Sequence, residues 1–367
     1  MDENKAAIDD DEKENDIHVD DETARDETEV VTFKYSITSY GADYPVDSLV
    51  KRLREESIFV PKFQREYVWN MSDASSFVES LLLGLPVPGV FFSKEDESQK
   101  LLVIDGQQRL KSLQFFYDGV FVPTGKVFGL QGVQKRFKGI TYKTLEDEDR
   151  RRLDDSIIHA TVVRQEVPSD DNSSVYYIFE RLNTRGRRLH PQEIRASIYH
   201  GAFHDLLEDL NKNEHWRMVY GKPSPRLKDQ ELILRFLALH FNWENYERPM
   251  KEFLNKYMAA NRNFRREPKQ TLSLTFERTI RFAVECLGER VFKPGTVLNA
   301  AVFDAVMVGL SRRLNSGPVD DRHLIKRKYE TLLKDTDFAD AYEHSTSNEE
   351  KVRRRIELAI EAFANVK

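Results

Sequence analysis

Apolar residues change their spacing part-way along the chain. Up to about residue 167 they fall in short alternating or continuous runs between Gly, Pro and charged clusters, and from "SSVYYIFERLN" onward they recur every three or four positions. The first half predicts strands mixed with helices. An edge strand is expected at "TFKYSITSY", a short helix in "PVDSLVKRLREES" with Asp47 as N-cap, and an extended run "IFVPKFQREYVWN" ending at Asn70. "MSDASSFVESLLLGL" follows as a helix capped by Ser72 or Asp73 and stopped by Gly84, Pro86 and Pro88. "GVFFSKE" and "QKLLVID" read as a hairpin, and "RLKSLQFFYDG" as a helix closed by Gly119. An exposed, charge-laced helix in "LEDEDRRRLDD" and a strand in "SIIHATVVRQEV" complete this half.

Helical spacing then persists through "DQELILRFLALHF", "MKEFLNKYMAANRNF", "LTFERTIRFAVECLG", "AAVFDAVMVGLSRRL" and "EEKVRRRIELAIEAFANV". The fold class is therefore α+β, a mixed α/β domain followed by an all-helical one. The expected division is 1–31 as an acidic tail, 32–205 as the α/β domain and 206–367 as the helical domain.

Charge sharpens the first boundary. Residues 1–30 hold fourteen carboxylates against three bases, −11 in all, so that of the chain's net −6 the remainder carries about +5. So few apolar groups and so much like charge leave the tail without enough burial to offset ordering entropy, and it is expected to be disordered. It serves either to solubilise or as an acidic decoy competing with nucleic acid for the basic body. No run is long and apolar enough to span a bilayer, and the acidic N-terminus is unlike a signal peptide, so no membrane role and a cytoplasmic location are expected. The lone Cys286 lies in an apolar helical pattern and reads as a buried structural residue.

The densest chemistry sits in "LLVIDGQQRLKSL", residues 101–113. A strand ending in Asp105, a permissive Gly106 and an immediate helix start bring backbone N–H groups and a positive dipole end together, which makes an anion site. Arg109, one turn in, is placed to clamp a phosphate; Asp105 suits a divalent cation or the orientation of a water. Gln107 and Gln108 suit a sugar, a base edge or an attacking water. Two further stretches carry polar groups in suggestive settings. In "FVPKFQREYVWN", Gln64 and Arg65 alternate with aromatic rings that either pack or stack a base. "FERLNTRGRRLHPQEIRASIYHG" is the most basic stretch: Asn183 and Gly186 bracket a turn, and Arg181, Arg185, Arg187, Arg188 and Arg195 surround it, as a solvated surface or as partners for phosphates of a nucleotide or of DNA.

Taken in order, "QREYVWN", "SLLLGLPVPGVFF", "VIDGQQRLKSL" and "IFERLNTRGRRLHPQEIR" resemble the N-terminal domain of the GmrSD-type modification-dependent restriction enzymes, a ParB/sulfiredoxin-like family, over about residues 40–205. The resemblance implies a ParB-like α/β fold whose DGQQR turn binds and hydrolyses a nucleoside triphosphate (ATP, GTP or CTP) with Mg²⁺, in defence against phage DNA with modified bases or backbone. It implies catalytic roles for Asp105, Gln107, Gln108 and Arg109, with Asp105 on the metal, and nucleotide contacts from Gln64, Arg65, Gly106, Lys111, Ser112, Asn183 and Gly186. Arg185, Arg187 and Arg188 are then the candidates for DNA contact. Lys111 and Ser112 stand where members often show two threonines, so that Lys111 brings a cation where a hydroxyl would meet metal.

Full-length members carry a His-Asn-His nuclease domain, whereas His204, His215, His240, His323 and His344 form no such motif, so a partner nuclease subunit is expected rather than a nuclease in this polypeptide. Three classes are open: an NTP-hydrolysing defence component with DNA, and either a partner nuclease or further copies of itself, as partners; a nucleic-acid-binding regulatory module without turnover; and a phosphotransferase.

Overall fold

A computed structural model describes residues 19–20, 36–60, 67–95, 98–167, 173–182 and 189–366. The described residues form two compact units, one lying within 34–189 and one comprising 19–20 with 190–366. The architecture is α+β. No helix among the described residues is long and apolar enough to cross a membrane.

The first unit is built on a mixed sheet. Its described elements are β1 (Ser36–Pro45), α1 (Val46–Arg54), β2 (Ile58–Phe59), α2 (Met71–Leu82), β3 (Val90–Lys94), β4 (Leu101–Asp105), α3 (Gln107–Asp118), α4 (Asp147–Asp154), β5 (Ile157–Val167) and α5 (Ser173–Leu182), besides a two-residue ladder joining Val120–Phe121 to Lys126–Val127. Strand order is β1-β5-β3-β4-β2. The expected hairpin forms, with β3 antiparallel to β4, while β5 runs parallel to β3 and antiparallel to β1 at the sheet edge. Because side chains alternate across a strand, Leu101 and Val103 of β4 join Leu49 of α1, Val78 of α2 and Leu110 and Phe116 of α3 in one core, while the equally buried Leu102 and Ile104 point to the opposite face. Every apolar side chain of β4 is thus withdrawn from water, and the strand's polar end, Asp105, is its half-buried exception.

Two caps differ from the sequence expectation. Pro45, not Asp47, occupies the N-cap of α1, and Asp47 falls inside the first turn. For α2 the cap is Asn70 rather than Ser72 or Asp73: its side-chain oxygen accepts the Asp73 N–H at 2.9 Å while an Asp73 carboxylate oxygen accepts the Asn70 N–H at 3.2 Å, a reciprocal box.

The second unit is helical, with α6 (Pro191–Ile198), α7 (Ala202–Leu210), α8 (Glu214–Tyr220), α9 (Lys228–Asn242), α10 (Met250–Asn261), α11 (Lys269–Leu287), α12 (Ala300–Asn315), α13 (Arg322–Leu332), α14 (Thr336–Glu343) and α15 (Glu349–Ala364). Two short strands, Val19–Asp20 and Leu298–Asn299, pair in parallel within it. Both α9 and α12 are buried around most of their circumference, as befits central helices. Their charges are matched inside the core: Asp304 of α12 receives Arg235 of α9 at 2.6 Å and Arg355 of α15 at 3.3 Å. Helix α6 belongs to this unit, where Arg195 is buried against Glu231 of α9 at 2.7 Å and Asn255 of α10 at 2.8 Å. Cys286 is only partly buried, its thiol donating to the Arg322 carbonyl at 3.2 Å, and burial raises the thiol's pKa.

Candidate functional site

The turn between β4 and α3 is reached without a connecting loop. Gly106 is the whole linker, with φ +101° and ψ 8° in the left-handed region, where an L side chain is strained. Space forbids a side chain as well: a Cβ at this position would sit 2.5 Å from Cγ1 of Val90, the first residue of β3. The strand therefore delivers Asp105 directly to the amino end of α3, where the macrodipole favours anions.

Asp105 and Arg109 meet across this turn, Nη2 to Oδ2 at 2.7 Å, with the carboxylate 44% and the guanidinium 14% exposed. Arg109 Nε is buried and has no hydrogen-bond acceptor among the described residues. Lys111 is half-buried with no hydrogen bond or ion pair among the described residues, and its removal from water lowers its pKa. Gln107 lies one helical turn ahead of it and is buried.

Gln108 and Ser112 do something else. The Gln108 side-chain oxygen accepts the backbone N–H of Val68 at 2.9 Å and of Trp69 at 3.2 Å. Ser112 is fully buried; its hydroxyl donates to the Gln108 carbonyl at 2.7 Å and takes the Tyr67 hydroxyl at 2.6 Å. Burial pushes the Tyr67 phenol up to about 12, so it remains a donor at every physiological pH. Its ring packs edge-on against Phe115 and Phe121, and Trp69 packs against Phe77 of α2. The structure thus joins the end of the "QREYVWN" stretch to the DGQQR helix, a link that no spacing within either motif signals.

Of the remaining candidates, Gln64 and Arg65 lie within 61–66, and Asn183, Arg185, Gly186, Arg187 and Arg188 within 183–188, all outside the described residues. Arg195 leaves the basic stretch for the helical core, as described above.

Residues 46–200 match the model of the GmrSD restriction endonuclease, N-terminal domain. This stretch is a GmrSD N-terminal domain. No curated protein matches the chain. The GmrSD domain begins with α1 and takes in the whole sheet except β1, together with the 105–109 turn and α6. It marks the chain as related to a restriction system.

Among the described residues no group of three or more His, Cys, Asp or Glu side chains is able to hold a metal. Asp105 alone offers a carboxylate oxygen, Oδ1, beyond the one engaged by Arg109. That suits Mg²⁺ only if a nucleotide's phosphates complete its shell, which is how Mg²⁺ is commonly held.

Proposed function

We propose that the GmrSD domain binds a nucleoside triphosphate at the 105–109 turn and hydrolyses it as the switching component of a DNA-directed anti-phage system, with the nuclease on a partner subunit. The observation that carries this reading is the turn itself, a left-handed glycine setting an Asp–Arg pair at the amino end of a buried helix. Phosphate oxygens would compete with Asp105 for Arg109, whose buried Nε lacks an acceptor among the described residues, and Lys111 would add a cation that no described residue pairs. Asp105, released from Arg109, would hold Mg²⁺ against the same phosphates; the metal would supply charge neutralisation at the transferring phosphoryl group. Gln107 then lies nearest the helix start for a sugar or an attacking water.

The test is a thermal-shift series with ATP, GTP and CTP, with and without Mg²⁺, followed by phosphate release. A triphosphate should raise the melting temperature, and Arg109→Ala should weaken binding about tenfold or more, the loss expected for a charge-assisted bond. If no triphosphate shifts the wild-type protein, while DNA binds with a steep salt dependence that nucleotides do not alter, the reading gives way to a nucleic-acid-binding module without turnover.

A further inference from the structure

Residues 67–70 belong to no helix or strand, yet their backbone is not left to water. Two successive N–H groups, of Val68 and Trp69, converge on the single side-chain oxygen of Gln108, forty and thirty-nine residues away. An amide oxygen has two lone pairs, so this one is fully committed. It has no acceptor capacity left with which to orient an attacking water or take a hydrogen bond from a sugar. One helical turn along the same face, buried Ser112 accepts from the Tyr67 hydroxyl and donates its own hydrogen bond to the Gln108 carbonyl. The two fastenings share one segment, three consecutive residues long, and one helix face.

We infer that Gln108 is a positioning residue, its side-chain oxygen latching residues 67–69, the continuation of the Gln64–Arg65 motif, onto the amino end of α3, with Ser112 and Tyr67 as the second fastening of the same latch. Its consequence for ligand rests on the nucleotide reading above: residues 67–69 and the 105–109 turn move as one, and loosening the latch at Tyr67 weakens binding without removing any group of the 105–109 turn. Rings alone could hold the segment, since Tyr67 and Trp69 both pack on neighbours. The polar latch is separable from that packing, because Gln108→Met keeps the side chain's length and Tyr67→Phe keeps its ring.

Amide hydrogen exchange of the full chain, read at Val68 and Trp69, tests the latch without any ligand. Gln108→Met should speed exchange there about tenfold, in line with the loss of a net-stabilising hydrogen bond, whereas Gln108→Glu, which keeps an acceptor oxygen, should retain protection. Nucleotide-induced thermal shifts then test its purpose: Gln108→Met and Tyr67→Phe should both reduce the shift. Unchanged exchange at both amides in Gln108→Met would overturn the latch. Loss of nucleotide binding in Gln108→Met with full binding in Tyr67→Phe, whose hydroxyl reaches only Ser112 among the described residues, would show instead that Gln108 acts on the ligand directly. Should no nucleotide bind the wild-type protein, the function proposed above falls, and the exchange measurements still decide the latch.

Discussion

A methyl group at position 106 has nowhere to go. Gly106→Ala meets a left-handed backbone angle, costing about 1–2 kcal/mol, and a buried valine methyl at 2.5 Å, an overpacked contact of about 1–3 kcal/mol. Urea denaturation should therefore show a loss of several kcal/mol, large for one carbon atom, and any nucleotide response should disappear with it because the turn can no longer present Asp105 to Arg109. The need for glycine here was legible, since a strand running into a helix through one residue leaves little else. Gln108 was not legible in the same way. Its place in the DGQQR motif suggests a ligand contact, and only the return of Val68 and Trp69 from far upstream shows where its oxygen is spent. Arg195 misled for a related reason: arginine is usually solvated, and the acid and amide that bury it, Glu231 and Asn255, come from helices well downstream.

Among the elements, the hairpin β3–β4, the long edge strand and the successive helices follow from periodicity alone, because burial on one face imposes the spacing that the sequence carries. Ends are harder. Asn70, Ser72 and Asp73 are all competent to cap α2, and the choice falls on Asn70, which directly follows the stretch latched by Gln108. Close helix approach is equally hidden. Gly309 in the middle of α12 looks like a defect of about 1 kcal/mol relative to alanine, yet an added Cβ would lie 2.7 Å from the carbonyl oxygen of Ala359 on α15. Backbone cannot turn aside as a side chain can, so the packing penalty, about 1–3 kcal/mol, outweighs the propensity gain. Gly309→Ala should lower stability, where the same change at an exposed helix site raises it; chemical denaturation of the variant decides the sign.

At the scale of the molecule, two buried histidines couple stability to acid. His204 and His240 both have pKa values pushed down to about 4 from 6.5, chiefly by burial, aided in His240 by Arg312 and Arg278. The folded state thus binds fewer protons than the unfolded chain between pH 6.5 and pH 4. Stability is complete above the upper value and declines as pH falls through this window, by about 3 kcal/mol for each histidine at its lower end. Denaturation midpoints measured at pH 7.5, 5.5 and 4.5 should fall progressively, and His240→Phe should flatten the fall.

The same unit answers a question about how it comes apart. Asp304 serves two guanidiniums, from α9 and α15, and all three side chains are sealed from water. Helices distant in the chain are therefore bound by a charge that none of them can retain alone: peel α15 away and Arg355 departs while Asp304 and Arg235 are wetted together. Fraying one helix at a time offers no inexpensive intermediate, so the helical half behaves as a single cooperative body, and its last helix is as much a part of its centre as its first.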